Sequence, residues 1–361
     1  VKNFHCECGN TLYFANSMCL SCSRPVGFIG GLLEITACDI VEPDLWRACI
    51  DHKLYRPCTN YSKNQVCNWL VPAEEDHALC ESCRLTDTIP DLSKPNNPQL
   101  WYRMERAKRH LLYTLSKLGL PVWDNPEDKE PPLRFQFLED VSEDEYGQEL
   151  TVKHTIMTGH SNGMITLNLN EAEDASRLQM REKMNERYRT LIGHLRHESG
   201  HYYWDKLIKN SACLNEFRSL FGDERQDYGN ALIYYYDNGP APEWQDSYIS
   251  AYASMHPWED WAETWAHYLH IVDTLETATE YEVSAMQSTL QNPLSRVNES
   301  SLCEDFTAIY EDWCRLTTVL NALNRSMGLD DAYPFVIPLK AQHKLQFIHN
   351  LVHGYCAYRN G

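Results

Sequence analysis

The chain has 361 residues, 43% of them hydrophobic and 11% aromatic, which indicates a globular protein with a large core and room for two domains. Its 32 basic residues face 51 acidic ones, and a net charge of −19 argues against binding to a phosphate backbone as the main task, so no nucleic-acid partner is expected. No apolar run approaches the roughly 20 residues that cross a bilayer, and no charged-plus-apolar leader opens the sequence, so no membrane partner is expected.

Ten of the fourteen cysteines fall before residue 84. Cys6-Glu-Cys8-Gly9 and Cys19-Leu-Ser-Cys22 are two close pairs separated by a short hairpin-like segment, the pattern of a tetrahedral thiolate site on two knuckles. A second set consists of Cys58, Cys67 and the knuckle Cys80-Glu-Ser-Cys83, although its outer pair could also draw on Cys38, Cys49, His52 or His77. Small ribbons of this kind lack the core to fold unaided, so zinc would supply folding energy. Reduced thiolates holding zinc suit a cytoplasmic protein. Few basic residues cluster here, which favours structure or contact with a protein partner over nucleic acid. Cys38, Cys49, Cys213, Cys303, Cys314 and Cys356 read as packing residues.

A polar, Pro-rich linker at 92–98 leads into a helix from Pro98 to about Leu118, with an apolar stripe through Trp101, Met104, Leu111, Leu115 and Leu118. Its basic face, Arg103, Arg106, Lys108, Arg109 and Lys117, is expected to be solvated. After an acidic loop at 124–132, residues 133–138 and 163–169 alternate as strands, and His160-Ser-Asn-Gly163 has turn chemistry. Charge-rich helical sequence follows from Glu171 to Arg196.

The next stretch contains His197-Glu198-Ser-Gly-His201. On a helix of about 3.6 residues per turn, positions four apart lie nearly above one another, so two imidazoles share a face as a metal chelate. Glu198 lies beside them, placed to touch an attacking water rather than the metal, as a general base for hydrolysis must be. A catalytic zinc takes three protein ligands, and His201 is not followed by Gly-x-x-His, so the third must come from further along. His194, three residues earlier, reads as packing or support. A helix ending at Gly222 and another starting at Asp223 are expected next, then a Tyr234-Tyr235-Tyr236 helix end and a loop over the cleft, with core packing the first expectation for these aromatics and a grip on substrate side chains the alternative. Pro257 starts a further helix, on which Glu259 and Glu263 fall four apart among Trp258, Trp261, Ala262, Trp265 and Ala266. Two carboxylates on the apolar side of a helix need partners, and a zinc ion and a zinc-bound histidine would serve. His349 and His353 repeat the four-residue spacing with no acid nearby in sequence.

HExxH with a downstream Glu-x-x-x-Glu resembles the gluzincin metallopeptidases. The longer strings GHLRHESGHYYWDKL and SAYASMHPWEDWAETWAHYLH are similar to a bacterial group of zinc-binding metallopeptidases that carry an N-terminal zinc-ribbon region, and the likeness covers nearly the whole chain. The resemblance implies His197, His201 and Glu259 as zinc ligands, Glu198 as base, and Glu263 as the acid that orients a ligand histidine. It implies Tyr252 as the oxyanion donor, with Tyr202, Tyr203 and Tyr248 as competitors. It also implies an edge strand just before the HExxH helix, on which an extended substrate could pair.

The expected fold is α+β, with a zinc-ribbon region of short hairpins and knuckles over 1–95 and a mostly helical zincin-like domain with a small sheet over 96–361. The expected activity is zinc-dependent hydrolysis of peptide bonds in a peptide or protein substrate, with one catalytic and two structural zinc ions. The rival is a ribbon interaction module whose peptidase fold is a non-catalytic or latent platform.

Overall fold

The computed structural model describes residues 2–125, 130–143, 151–177, 190–285, 288–289 and 306–360, with the backbone alone at 141–143, 151–154, 284–285, 288–289 and 355–360. The fold is α+β. Cys303 and the Cys356 side chain lie outside the described residues, as do parts of the 124–132 loop and of the helical stretch expected up to Arg196. The chain divides into two compact units, Val1–Ser116 with Val122–Lys183, and Lys117–Pro121 with Met184–Gly361. These units do not part at 95/96, where the composition changes: the helix after the linker and the sheet beyond it belong with the ribbon strands.

In the first unit, β1 (Phe4–His5) pairs with β2 (Thr11–Leu12) across the first cysteine turn. Gly9 takes φ +84° there, so its amide reaches the Cys6 carbonyl at 2.8 Å. Strands β3 (Val26–Ile29), β4 (Glu34–Glu42), β5 (Leu45–Ala48), β6 (Leu54–Pro57) and β7 (Leu70–Pro72) form an antiparallel meander in sequence order. Phe28, Trp69 and Tyr113 pack in its core. Short helices α1 (Thr59–Ser62) and α2 (Glu81–Arg84) each follow a cysteine of the second set.

Helix α3 spans Asn97–Lys117 and buries Trp101, Met104, Leu111 and Leu115 as the apolar stripe requires. Its basic face is not solvated throughout, which corrects the expectation from sequence. Lys108 and Arg109 are buried. The Lys108 ammonium pairs with Glu105 at 2.8 Å and donates to the Ser82 carbonyl, while Arg109 donates to the Val66 carbonyl. Helix α3 is thus covered at Lys108 and Arg109, where carbonyls around the second cysteine set replace water, while Arg106 stays exposed. Removing one partner of a buried pair strands the other charge, so Lys108→Met is expected to cost about 3–5 kcal/mol, and Glu105→Leu/Lys108→Met to recover most of it. Denaturant unfolding of both variants checks this.

A four-stranded sheet, ordered β12-β13-β9-β8, uses β8 (Thr86–Thr88), β9 (Arg134–Leu138), β12 (Gly159–Ser161) and β13 (Met164–Asn168), while β10 (Val141–Glu143) and β11 (Thr151–His154) pair separately. Asn162 and Gly163, at φ +51° and +84°, make the two-residue turn between β12 and β13. Strand β13 is not the edge that the resemblance implied: it pairs with β12 on one side and runs parallel to β9 on the other.

The second unit is helical. Helix α4 (Leu191–Leu207) is capped by Thr190, whose hydroxyl accepts from the Gly193 amide at 3.0 Å. Helix α5 (Leu214–Phe221) stops at Gly222, at φ +102°. The next helix, α6 (Tyr228–Asn238), starts five residues later than expected, because Asp223 and Glu224 are held by Arg225 and Arg218, and Asp227 supplies the cap. Helix α7 (Pro257–Glu280) has Pro257 in its first turn and a His256 cap. Helices α8 (Phe306–Ser326) and α9 (Leu339–Asn360) complete the unit. Cys314, expected to pack, is exposed.

Candidate metal centre

The centre is built where α4 meets α7. At Gly200 the helices come so close that a Cβ would stand 2.9 Å from the Ala262 Cα. Two indoles lock this contact: Trp261 Nε1 donates to the Gly200 carbonyl at 2.8 Å, and Trp265 Nε1 to Ser199 Oγ at 3.1 Å. Ser199 in turn donates to the Arg196 carbonyl, and Arg196 pairs with Asp273 of α7. The small residues between the two histidines are therefore what lets a second helix reach them.

His197, His201 and Glu259 converge, with one ligand atom from each lying within 4.8 Å of the others. His197 Nε2 is 3.0 Å from Glu259 Oε2, and His201 Nε2 is 3.5 Å from Glu259 Oε1. Tetrahedral bonds of about 2.0–2.1 Å put ligand atoms roughly 3.3 Å apart, between these two distances. Glu259 is buried, and its two oxygens face the two imidazoles. Two imidazoles and a carboxylate suit zinc.

Behind His197, Glu263 Oε1 lies 2.7 Å from Nδ1, and Ser250 donates to Glu263 Oε2 at 2.6 Å. A ring that donates Nδ1–H to a carboxylate turns the Nε2 lone pair toward the metal. Burial works to raise the Glu263 pKa and is the largest single influence, but the hydrogen bond and charge of His197, with His267 and the Ser250 hydrogen bond, together outweigh it and bring it to about 2. Burial likewise opposes the His197 imidazolium, and Glu259 and Glu263 outweigh it. The field that draws a proton here also draws a cation. Glu263→Ala is expected to weaken zinc binding about 10–100-fold, measured by competition with a chromophoric chelator.

Glu198 is buried beside this cluster with no hydrogen bond among the described residues. The Tyr252 ring centroid is 6.2 Å from that of His197. The competing tyrosines are engaged elsewhere: Tyr203 donates to the Pro121 carbonyl, Tyr202 lies under Lys206, and Tyr248 lies under Lys344. Sequence reasoning missed Tyr228, which donates to Glu259 Oε1 at 2.9 Å and whose ring stands edge-on to those of His256 and Trp258. Its one local signal is Asp227, whose capping role puts Tyr228 at the head of a helix. His194 is not part of the cluster. His349 and His353 face each other at 4.1 Å, and His349 meets the Tyr268 hydroxyl; no metal-holding group that includes them occurs among the described residues.

Two thiolate sets lie in the first unit. Cys6, Cys8, Cys19 and Cys22 come together, as do Cys58, Cys67, Cys80 and Cys83, without Cys38, Cys49, His52 or His77. Sulfur separations of 3.6 Å (Cys6 to Cys22), 3.6 Å (Cys8 to Cys19) and 3.7 Å (Cys67 to Cys80) are far too long for a disulfide. They match the edge of a tetrahedron with zinc–sulfur bonds of about 2.3 Å, roughly 3.8 Å. The Trp69 and Cys80 amides donate to Cys67 and Cys58 at 3.3 Å each, as thiolates require.

The comparisons with known proteins agree with this donor chemistry. Residues 97–351 match the family described as "Putative zinc-binding metallo-peptidase", and the chain belongs to that family. Residues 3–94 match a family described as a zinc-ribbon domain. Uncharacterized proteins of Mycobacterium tuberculosis and Mycobacterium bovis are 41% identical over 355 residues, covering 98% of this chain and 95% of theirs. No solved structure matches. No helix among the described residues is long and apolar enough to cross a membrane.

Proposed function

We propose that the chain is a gluzincin-like peptidase that hydrolyses peptide bonds with Glu198 as general base. The observation that carries this reading is the convergence of His197, His201 and Glu259, with Glu263 behind His197 and the buried Glu198 next to it in sequence. Zinc held by those three ligands supplies a Lewis acid that lowers the pKa of water from about 15.7 toward 7 and polarises a carbonyl. Glu198 accepts a proton from the attacking water and passes it to the leaving amine. Glu263 fixes the His197 ring. Tyr252 donates to the oxyanion that develops on the scissile carbonyl, while Tyr228, whose hydroxyl hydrogen goes to Glu259, holds that carboxylate.

Each set of four cysteines holds a structural zinc, giving three ions in all, and the reduced thiols fit a bacterial cytoplasm. The boundary at 95/96 separates two sequence modules, a ribbon that can present a protein-binding surface and the peptidase. Incubation of the zinc-loaded protein with a diverse peptide library, read by mass spectrometry, tests the activity. Cuts that stop with a chelator and return with zinc are the expected result. A metal-loaded protein that cuts nothing in such a library would count for the non-catalytic platform.

A further inference from the structure

Helix α6 carries Tyr228, Ala231, Leu232, Ile233, Tyr234, Tyr235 and Tyr236 in eleven residues, yet none of its residues is buried. Helices shorter than about 12–15 residues are marginal in water on their own and lean on packing. The inner side of α6 leans on the metal centre. Tyr228 reaches Glu259 at 2.9 Å, and Tyr235, seven residues on and so on the same face, lies 5.6 Å from the Tyr252 ring. On the other faces Ile233, Tyr234 and Tyr236 are 62%, 64% and 61% exposed. An apolar and aromatic surface is thus carried on the same short helix that touches a zinc ligand.

Charge identifies what covers it. Among the acids around α6, Asp223 and Glu224 are neutralised by Arg225 and Arg218. Asp227, Asp237, Glu243 and Asp246 are exposed and have no basic partner among the described residues. Phenol faces attract ammonium and guanidinium groups as well as apolar side chains. We propose that the outer faces of α6 and the turn after it form a docking wall beside the metal centre and take an extended cationic polypeptide segment. Its Lys and Arg side chains lie among these carboxylates, and its apolar or aromatic side chains lie on Ile233, Tyr234 and Tyr236. Anionic and purely polar segments are disfavoured. This rests on the peptidase reading for its purpose, although binding can be measured without turnover.

The test uses the full, zinc-loaded Glu198→Gln protein and two short dansyl-labelled peptides, one of Lys, Phe and Gly, the other with Glu in place of Lys. Anisotropy at low and high salt should show the cationic peptide binding about tenfold or more tightly, with the gap narrowing as salt screens the carboxylates. Ile233→Ser/Tyr234→Ser/Tyr236→Ser should remove most of the binding. Asp237→Asn/Glu243→Gln/Asp246→Asn, which leaves the aromatic face intact, should remove mainly its salt dependence. Equal binding of the two peptides, or no effect of either variant, overturns the proposal. If the wild type cleaves both peptides equally and neither variant changes that, the peptidase reading stands and this one fails. Charge-selective binding without any cleavage by the wild type supports the wall and removes the peptidase.

Discussion

Glu198→Gln protein is expected to keep its zinc and to cleave peptides about 10²–10⁴-fold more slowly than the wild type, the range that positioned acid–base groups contribute. The geometry separates the two roles. The atoms that could hold a metal belong to His197, His201 and Glu259, and Glu198 is not among them. Amide replaces carboxylate at nearly constant shape, so the buried site keeps its packing and loses only the group that accepts the proton. His201→Ala and Glu259→Ala should behave differently, because each deletes a ligand and should lower bound zinc by one equivalent. Turnover numbers beside zinc content by atomic absorption distinguish the two outcomes. A Glu198→Gln enzyme that turned over at the wild-type rate would sink the assignment of the base.

Cys67→Ser is expected to unfold the ribbon region at room temperature. A structural zinc contributes about 10–16 kcal/mol of folding energy in small domains, as much as or more than the 5–15 kcal/mol net stability of a typical protein. The surroundings make the dependence plain. Cys58, Cys67, Cys80 and Cys83 are all buried and belong to the same core as Phe28 and Trp69, so the metal set is part of the core rather than an appendage. Loss of the near-ultraviolet dichroism of Trp69 and Trp123, which meet edge to face at 6.3 Å, reports the collapse. An unchanged melting temperature in Cys67→Ser would show that the second set is not a zinc site.

What the sequence made legible was chemistry governed by short spacings. Two histidines four apart, two glutamates four apart behind Pro257, and paired cysteines each announce a shared face or a knuckle through local geometry. The Asn162-Gly163 turn was readable for the same reason. What stayed hidden depends on partners distant in the chain. Lys108 and Arg109 look like a solvated face until carbonyls from Ser82 and Val66 are brought to them. The alternation of 164–168 reveals a strand, but its place inside the sheet is set by 134–138, some way upstream. Tyr228 has no fixed spacing to the HExxH motif, and only the crossing of α6 over the start of α7 brings it to Glu259.

The indole bonds from Trp261 and Trp265 to the main chain and hydroxyl of α4 do not involve the ion. With Gly200 seated on Ala262, they hold the helix crossing whether or not a cation sits between the imidazoles. The second cysteine set is the opposite case: all four of its cysteines are buried, so an ion held there would be released only as the surrounding chain opens, whereas Cys8 and Cys22 of the first set are exposed. A metal held at the helices is therefore expected to exchange with any divalent ion that accepts the same donors, such as cobalt, more readily than one held by Cys58, Cys67, Cys80 and Cys83. A cobalt spectrum taken after mild exchange would report first on the helix site, and the metal supplied to the protein would choose the working ion.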